Sequence, residues 1–188
     1  MRLGRAEGVL VLLTPAGATA GVDTRGAPAG TRELDLLDPS ALVPRVHAIV
    51  LTTGSLAVAG GAVSWLAEHH HGYPVGAEPD WVVPIVPTAA LGVDPTPDAY
   101  RACATATEPP PAAYALVGPT SAAAVVVVDA LLTKAECRRV AMSAQDAFPR
   151  AGLTLPTTVF AVATDNPVEA SVNALCTAAA NALLTALG

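Results

Sequence analysis

The chain has 188 residues and a mass of 18.8 kDa, which suits one domain over residues 1–188 with a core large enough to need no disulfide or metal. Only ten residues are Lys or Arg and the formal net charge is −6, which argues against a nucleic acid partner. Hydrophobic residues make up 52% of the chain and charged residues 14%, and this excess of apolar surface favours a homo-oligomer.

The order of strands and helices predicts an α/β layered sandwich. The predicted strands are residues 8–14, 20–24, 46–52, 125–128 and 158–164. Pro84 and Pro87 interrupt residues 81–87, which are either an edge strand or an extended rim. The predicted helices are residues 57–70, 97–106, one that begins after Thr133, and 166–187. The turn at residues 15–17 would join the first two strands as a hairpin. Two layers of strands between two layers of helices would suit a core of alanine, valine and leucine.

Two helix starts carry local capping signals. Thr133 and Glu136 have the spacing of a capping box, in which each side chain satisfies a backbone N–H of the first turn. Asn166, Pro167 and Glu169 supply a capping side chain, a proline for the first helical position and an acidic residue for the first turn, so the last helix is predicted to begin there.

The cysteines and the N-terminal residues indicate the cellular compartment in which the protein is expected. The three cysteines, Cys103, Cys137 and Cys176, are far apart and lack metal-ligand spacing, which is typical of reduced core residues in a cytosolic protein. The apolar run at residues 9–13 is too short for a signal peptide or a membrane span. We therefore expect a cytoplasmic protein that uses no metal or other cofactor and does not bind membranes.

Three consecutive histidines, His69, His70 and His71, raise the question of a metal site. Adjacent helical residues point in different directions, so one ion could not bind all three while the helix persists. The favoured interpretation is a solvated helix end.

Two turns could hold a ligand. The turn that ends in Ser55 lies between a strand and a helix, where backbone N–H groups can bind an anion or an oxyanion, but no phosphate-loop lysine follows it. The loop at residues 25–33 is rich in turn formers and charge. Its charged residues could equally pair with one another and only hold the loop.

The stretch from Gly118 to Asp129 carries a candidate nucleophile. A loop ending at Ser121 leads into the apolar run at residues 125–128, which is typical of a strand buried on both faces. A hydroxyl at the start of a central strand is well placed for nucleophilic attack, but a serine there also commonly caps or turns the chain. The residues alone leave both roles open and favour the structural one.

Several segments together carry a family resemblance. They are residues 21–33 (GVDTRGAPAGTRE) with 35–37 (DLL), 46–55 (VHAIVLTTGS), 72–76 (GYPVG) with 83–87 (VPIVP), and 125–134 (VVVVDALLTK). In this order they resemble the L-aminopeptidase/D-esterase family, which includes β-peptidyl aminopeptidases and a nylon-oligomer hydrolase.

The resemblance implies an αββα four-layer sandwich similar to the N-terminal-nucleophile hydrolases, usually in homo-oligomers, and a precursor that cleaves itself before a Ser or Thr. The family nucleophile falls on Ser121, and the bond to be cut joins Thr120 to Ser121. The freed Ser121 would supply its hydroxyl as nucleophile and its α-amino group, whose pKa lies near neutrality, as general base. The implied activity is hydrolysis of small peptides or amides.

The chain departs from the family where other catalytic groups would lie. Residues 107–120 form a Pro-rich linker where the family has a longer stretch with a lysine and an oxyanion-stabilising asparagine, and the linker contains neither. An acidic or hydroxyl-bearing pair of the family falls on Leu155 and Thr157, so only a hydroxyl remains.

Other residues are candidates to replace the missing groups. Besides Ser121, the catalytic candidates are Ser55 and Thr157, and the binding candidates are Arg25, Thr31 and Arg32. Two functions stay open. The chain is either a self-processing hydrolase or an inactive relative that serves as a structural or regulatory subunit, alone or with a full-length relative, or that binds a small molecule.

Overall fold

The computed structural model describes residues 1–28, 30–78, 80–93, 97–107, 109–166, 168 and 170–188. In chain order its strands are β1 (Arg2–Ala6), β2 (Val9–Ala18), β3 (Ala20–Arg25), β4 (Gly30–Arg32), β5 (Val46–Thr52), β6 (Tyr73–Pro74), β7 (Val82–Val83), β8 (Thr88–Ala90), β9 (Ala113–Val117), β10 (Ala122–Val128) and β11 (Thr157–Ala163). They form a first sheet in the order β1-β2-β5-β8-β4, a second in the order β3-β11-β10-β9, and a separate ribbon of β6 and β7.

Five α-helices among the described residues cover the outer faces of the two sheets. They are α1 (Ala59–Glu68), α2 (Ala99–Ala104), α3 (Lys134–Ala144), α4 (Ala147–Arg150) and α5 (Val172–Leu187). Side chains of α1 and α2 pack on the first sheet, and those of α3, α4 and α5 pack on the second. The predicted αββα sandwich is therefore confirmed. None of the described helices combines the length and apolar character needed to cross a bilayer.

The two sheets face each other across a continuous apolar layer. Alternate residues of β10 point in opposite directions, so Ala123 and Val125 meet the first sheet while Ala122 and Ala124 meet the helices. Phe160 of β11 supplies the largest fully buried side chain of the layer between the sheets. Both faces of β10 are thus buried, as its uninterrupted apolar sequence predicted.

The predicted hairpin of the first two strands is wrong. β2 pairs with β1 and β5 in the first sheet, whereas β3 pairs with β11 in the second. Residues 15–17 do not reverse the chain. They lie within β2, where the register with β5 shifts between Leu13 and Ala18. The chain then crosses directly from one sheet to the other, and Ala18 and Ala20 both end in the layer between them.

The capping box of α3 is confirmed. The Thr133 backbone N–H donates to the Glu136 carboxylate at 2.8 Å, and the Glu136 backbone N–H donates to the Thr133 hydroxyl at 3.3 Å. The Thr133 hydroxyl also donates to the Glu136 carboxylate at 2.8 Å, and the two hydrogen bonds that the carboxylate accepts from Thr133 lower the pKa of Glu136.

The predicted start of the last helix is wrong. α5 begins at Val172, and the hydroxyl of Ser171 accepts from the Ala174 N–H at 3.2 Å. The Asn166 side chain instead donates to the Asp129 carboxylate at 3.2 Å, so it is engaged elsewhere. Pro167 and Glu169, the other two residues of that prediction, lie outside the described residues.

The linker before β10 differs in detail from the sequence expectation, whereas the exposed His69 and His70 agree with the predicted solvated helix end. The linker at residues 107–120 includes a strand, because β9 pairs antiparallel with β10. Glu108 of this linker lies outside the described residues. At the end of α1 the ring of His69 stacks on Trp65 at 4.1 Å between ring centroids, while the backbone of His71 donates to the Leu66 carbonyl.

We expect the stability of the fold to fall on mild acidification because of His47. This residue of β5 is buried, and its Nδ1 accepts a hydrogen bond from the Ile85 N–H at 3.2 Å. Burial, with a smaller contribution from His71, lowers the pKa of His47 below its usual 6.5. The unfolded chain therefore binds more protons, so the stabilisation is complete above the unfolded pKa and is lost as the pH falls towards the folded pKa.

Denaturant unfolding at a series of pH values from about 8 to about 5.5 will measure this slope. His47→Asn is the matched control, since its side-chain oxygen can still accept a hydrogen bond but does not titrate. The variant should have a flatter profile. Some slope will remain because burial also lowers the pKa of His71. Identical profiles for the variant and the wild type would contradict the prediction.

Candidate active site

Ser121 lies at the tight turn that joins β9 to β10. The Gly118 N–H donates to the Ser121 carbonyl at 2.9 Å, which closes the turn, and the Ala122 N–H donates to the Pro156 carbonyl at 2.9 Å, which ties the start of β10 to the loop before β11. Ser121 precedes Ala123 by two residues, so its side chain lies on the face of β10 that meets the first sheet. Two neighbouring segments therefore hold the candidate nucleophile in place.

The hydroxyl of Ser121 is buried without a hydrogen-bond partner. The residue is 2% exposed, and among the described residues no group lies within hydrogen-bond reach of its Oγ. Burying a hydroxyl without a partner costs about 1–3 kcal/mol, so nearly all such groups in proteins are paired. A structural serine that caps or turns the chain would use its hydroxyl in a local hydrogen bond, and this one does not.

A second hydroxyl without a partner lies on the neighbouring strand. Thr158 of β11 is 0% exposed and is directly opposite Ala123 in the parallel pairing with β10. Thr158 precedes Phe160 by two residues, so both side chains point to the same face of β11. Thr158 therefore faces the layer between the sheets, as Ser121 does. Thr158 was not singled out from the sequence, although its spacing of two from Phe160 and Val162 would have placed it on this face.

Thr157, the candidate from the sequence, points to the opposite side of β11. Its hydroxyl donates to the Gln145 side-chain oxygen at 2.6 Å, and the Gln145 amide donates to the Asp23 carbonyl at 3.0 Å. Thr157 and Gln145 are both buried beneath the helices. Thr157 thus joins β11 to the end of α3 and does not share the face of Ser121.

The first sheet contributes Thr31 to the layer that Ser121 faces. Thr31 of β4 is paired with Ala89, whose side chain is part of the layer between the sheets, and directly opposed residues point to the same side. Leu91 follows β8, and its side chain would lie 3.2 Å from a Cβ added at Gly118, in the turn that carries Ser121. The end of β8 therefore packs against this turn.

Ser55 is exposed and lines a different cleft. It precedes a short 3₁₀ turn at Leu56–Val58, and no capping hydrogen bond forms from its side chain. The cleft has a volume of about 210 Å³ and is lined by Ser55, Ala57, Val58, Gly61, Pro97, Asp98 and Ala99.

The two arginines of the loop at residues 25–33 bind neighbouring protein groups. Arg25 donates to the Met142 carbonyl at 2.8 Å and forms an ion pair with Asp23 at 3.3 Å. Arg32 pairs with Glu33 at 3.0 Å, and the second oxygen of Glu33 accepts from the Val86 N–H at 2.7 Å. These are contacts that hold the loop, as the structural interpretation of the charged residues expected.

In the part of the chain that the structure describes, no ionisable side chain is bonded to Ser121. Among the described residues there is also no group of three or more His, Cys, Asp or Glu residues that could hold a metal ion. Thr120 is exposed and Ser121 is buried, so the peptide bond between them lies at the boundary between solvent and core. Cleavage there would place a new α-amino group next to the Ser121 hydroxyl, and this amine would be the nearest base.

No model of a known protein family matches the chain. An uncharacterized aminopeptidase of Mycobacterium tuberculosis is 45% identical over 115 residues, which cover 55% of this chain and 33% of the relative. An uncharacterized aminopeptidase of Mycobacterium leprae is 48% identical over 91 residues, or 47% of this chain and 24% of the relative. The chain thus spans about a third or less of the length of these relatives.

Two solved structures match the fold over the whole chain. A β-aminopeptidase of Burkholderia sp. superposes with a TM-score of 0.66 and 17% sequence identity over 100% of this chain and 78% of that protein. A protein of Pyrococcus horikoshii OT3 superposes with a TM-score of 0.65 and 16% identity over 100% of this chain and 76% of that protein. The names of the mycobacterial relatives and the fold of the Burkholderia β-aminopeptidase support the resemblance to the L-aminopeptidase/D-esterase family. The fold of this chain is thus shared with these two solved structures.

Proposed function

We propose that this chain is a peptidase-type hydrolase of the L-aminopeptidase/D-esterase family, with Ser121 as its nucleophile after self-cleavage between Thr120 and Ser121. The observation that carries the proposal is the buried Ser121 hydroxyl without a partner at the start of β10. The mycobacterial relatives named as aminopeptidases and the fold of the Burkholderia β-aminopeptidase support the reaction class.

Self-cleavage would use the turn that carries Ser121. The Ser121 hydroxyl attacks the Thr120 carbonyl carbon, the C–N bond between the two residues breaks, and the hydroxyl proton is transferred to the nitrogen. Water then hydrolyses the resulting ester and leaves a Thr120 carboxylate and a free Ser121 with its amine and its hydroxyl. The free α-amine has an ordinary pKa of about 7.7–8.0, so part of it is unprotonated and can act as a base at neutral pH.

Substrate hydrolysis would then repeat the same chemistry on an external amide. The Ser121 amine takes the proton from the hydroxyl, the oxygen attacks the substrate carbonyl, and the proton passes to the leaving amine. Water releases the acyl group from the ester. Thr158, on the same face of the neighbouring strand, would be a positioning residue that holds a water molecule against the Ser121 hydroxyl.

The intact mass of the purified protein under denaturing conditions tests this proposal. We expect two fragments, residues 1–120 and 121–188, whose masses sum to the full chain plus one water. Ser121→Ala should give a single species of full mass, whereas Ser121→Cys keeps a nucleophile and should still be cleaved. Hydrolysis of small peptide and β-amino amides should appear only in cleaved protein. An uncleaved wild type would overturn the proposal.

Thr157 and Thr158 form a matched pair of controls on one strand. Thr158→Val should slow self-cleavage at least tenfold, because its hydroxyl faces the same layer as Ser121, and Thr158→Ser should restore the rate. Thr157→Val should lower stability but leave the rate of cleavage nearly unchanged, since its hydroxyl bonds to Gln145 on the other side. The reverse ranking would mean that Thr158 does not position the nucleophile.

A second function is an inactive relative that serves as a structural or regulatory subunit or binds a small molecule. Two observations favour it: the Ser121 hydroxyl has no hydrogen-bonded base among the described residues, and residues 107–120 contain neither lysine nor asparagine. Removing one oxyanion donor alone typically costs about 2.7–4 kcal/mol of barrier. This function predicts a single species of full mass in the wild type as well as in Ser121→Ala.

A further inference from the structure

The ribbon of β6 and β7 presents an exposed apolar face. Tyr73 is paired with Val83, and the Val75 N–H donates to the Trp81 carbonyl at 2.9 Å, so two further residues extend the same antiparallel register. Residues two apart on a strand share a face, which places all four side chains on one side of the ribbon. Their exposed fractions are 41% for Tyr73, 37% for Val75, 64% for Trp81 and 47% for Val83.

The ribbon is held against the body of the protein. Asp80 lies 3.8 Å from the ring of His70 at the end of α1, and a Cβ added at Gly72 would lie 2.8 Å from the Pro84 nitrogen. A two-stranded ribbon is only marginally stable unless it packs on something else. The apolar face is therefore presented in a fixed orientation and is not covered by any described part of the chain.

The pattern of the four side chains is complementary to itself. Tyr73 and Trp81 lie at two diagonal corners of the patch, and Val75 and Val83 lie at the other two. Two copies can stack face to face about a two-fold axis that lies between the faces and runs perpendicular to the strands. Tyr73 of one copy then lies over Val75 of the other, and Trp81 of one copy lies over Val83 of the other. Each large side chain then meets a small one, as close packing requires.

Charge selects between the two possible two-fold axes. An axis parallel to the strands also places aromatic residues over valines, but it brings together the ribbon tips, which carry Glu78 and Asp80. The axis across the strands moves the acidic tips to opposite ends of the contact and avoids this repulsion. The four side chains at the centre carry no charge.

We propose that the ribbon face formed by Tyr73, Val75, Trp81 and Val83 is the interface through which two copies of this chain associate, with the ribbons antiparallel across a two-fold axis. The proposal does not depend on whether Ser121 is catalytic. The patch exposes on the order of 300–400 Å² per copy, which is typical of functional patches on single chains. Twice that area is below the roughly 1,200–2,000 Å² of stable complexes, so the dimer is weak and concentration-dependent.

Sedimentation equilibrium of the full chain at about 1–500 μM measures this association, and we expect a dissociation constant on the order of 10 μM. Trp81→Ser and Val83→Lys should each raise it at least tenfold, because they remove an aromatic anchor or place a charge at the centre of the contact. Leu42→Lys is the matched control: Leu42 is 95% exposed and lines another cleft, so this change should leave association unaltered.

Mixing two charge variants tests whether the partner is a second copy. Val83→Lys and Trp81→Glu should each be monomeric, and an equimolar mixture should form a heterodimer, because the axis places position 83 of one copy over position 81 of the other and the opposite charges meet there. Circular dichroism melts will show that each variant is folded. A wild type that stays monomeric over the whole range, or a dimer that both ribbon variants leave intact, would overturn the proposal.

Discussion

Replacing Gly21 with alanine should lower the free energy of unfolding by about 3 kcal/mol. Gly21 lies on β3 where α3 crosses it, and an added Cβ would lie 2.2 Å from the Arg138 backbone nitrogen and 2.7 Å from the Cys137 carbonyl carbon. Both neighbours are main-chain atoms, so no side-chain rotation can relieve the clash. The helix would have to move away from the sheet and give up part of its buried apolar contact.

Guanidinium unfolding of Gly21→Ala beside Gly60→Ala measures the effect. Gly60 lies within α1, and nothing lies within 4 Å of a Cβ added there. Alanine at Gly60 should be neutral or should stabilise the protein by about 0.5–1 kcal/mol, because glycine is unfavourable inside a helix. Equal stability of Gly21→Ala and the wild type would show that α3 is not seated this closely on β3.

Replacing Gln145 with leucine should cost about 3 kcal/mol of stability. Gln145 is buried at the end of α3, where its side chain accepts from Thr157 and donates to the Asp23 carbonyl. Leucine fills a similar volume but removes the acceptor of the Thr157 hydroxyl and a donor to the Asp23 carbonyl. The penalty thus comes from groups left without hydrogen bonds rather than from a cavity.

A double-mutant cycle with Thr157→Val separates these contributions. Thr157→Val alone leaves the Gln145 oxygen without a donor, whereas the double variant removes both partners of one hydrogen bond. The double variant should therefore be less destabilised than the sum of the two single changes, by about 1 kcal/mol or more. Strict additivity would show that the hydrogen bond between Thr157 and Gln145 contributes nothing. Thr157→Ser, which keeps the hydroxyl, is the control.

Several elements could be predicted because their signals are local. The boundaries of β5 match the predicted strand at residues 46–52, since an apolar run bounded by turn residues marks both its ends. The capping box of Thr133 and Glu136 was read from a spacing of three residues, and its hydrogen bonds involve only those residues. The layered class followed from the order of strands and helices along the chain.

The candidate site was only partly predictable. Ser121 could be placed at the start of a buried strand, because the apolar run that follows it is visible in the sequence. Whether its hydroxyl has a partner depends on what the turn at Gly118 and the first sheet place around it. Gln145 carries no local signal at all, since a glutamine near a helix end is ordinarily exposed. Its role exists only because Asp23 and Thr157 meet there.

By itself, the sequence of this protein determined the class of the fold, the limits of β5 and the capping of α3, because periodicity and capping depend on neighbours a few residues apart. The tertiary structure alone decided that β2 and β3 belong to different sheets, that Asn166 binds Asp129 rather than capping α5, and that Thr158 rather than Thr157 faces the layer of Ser121. Strand pairing and the burial of a hydroxyl are set by residues distant in sequence, whose contacts form only when the sheets pack.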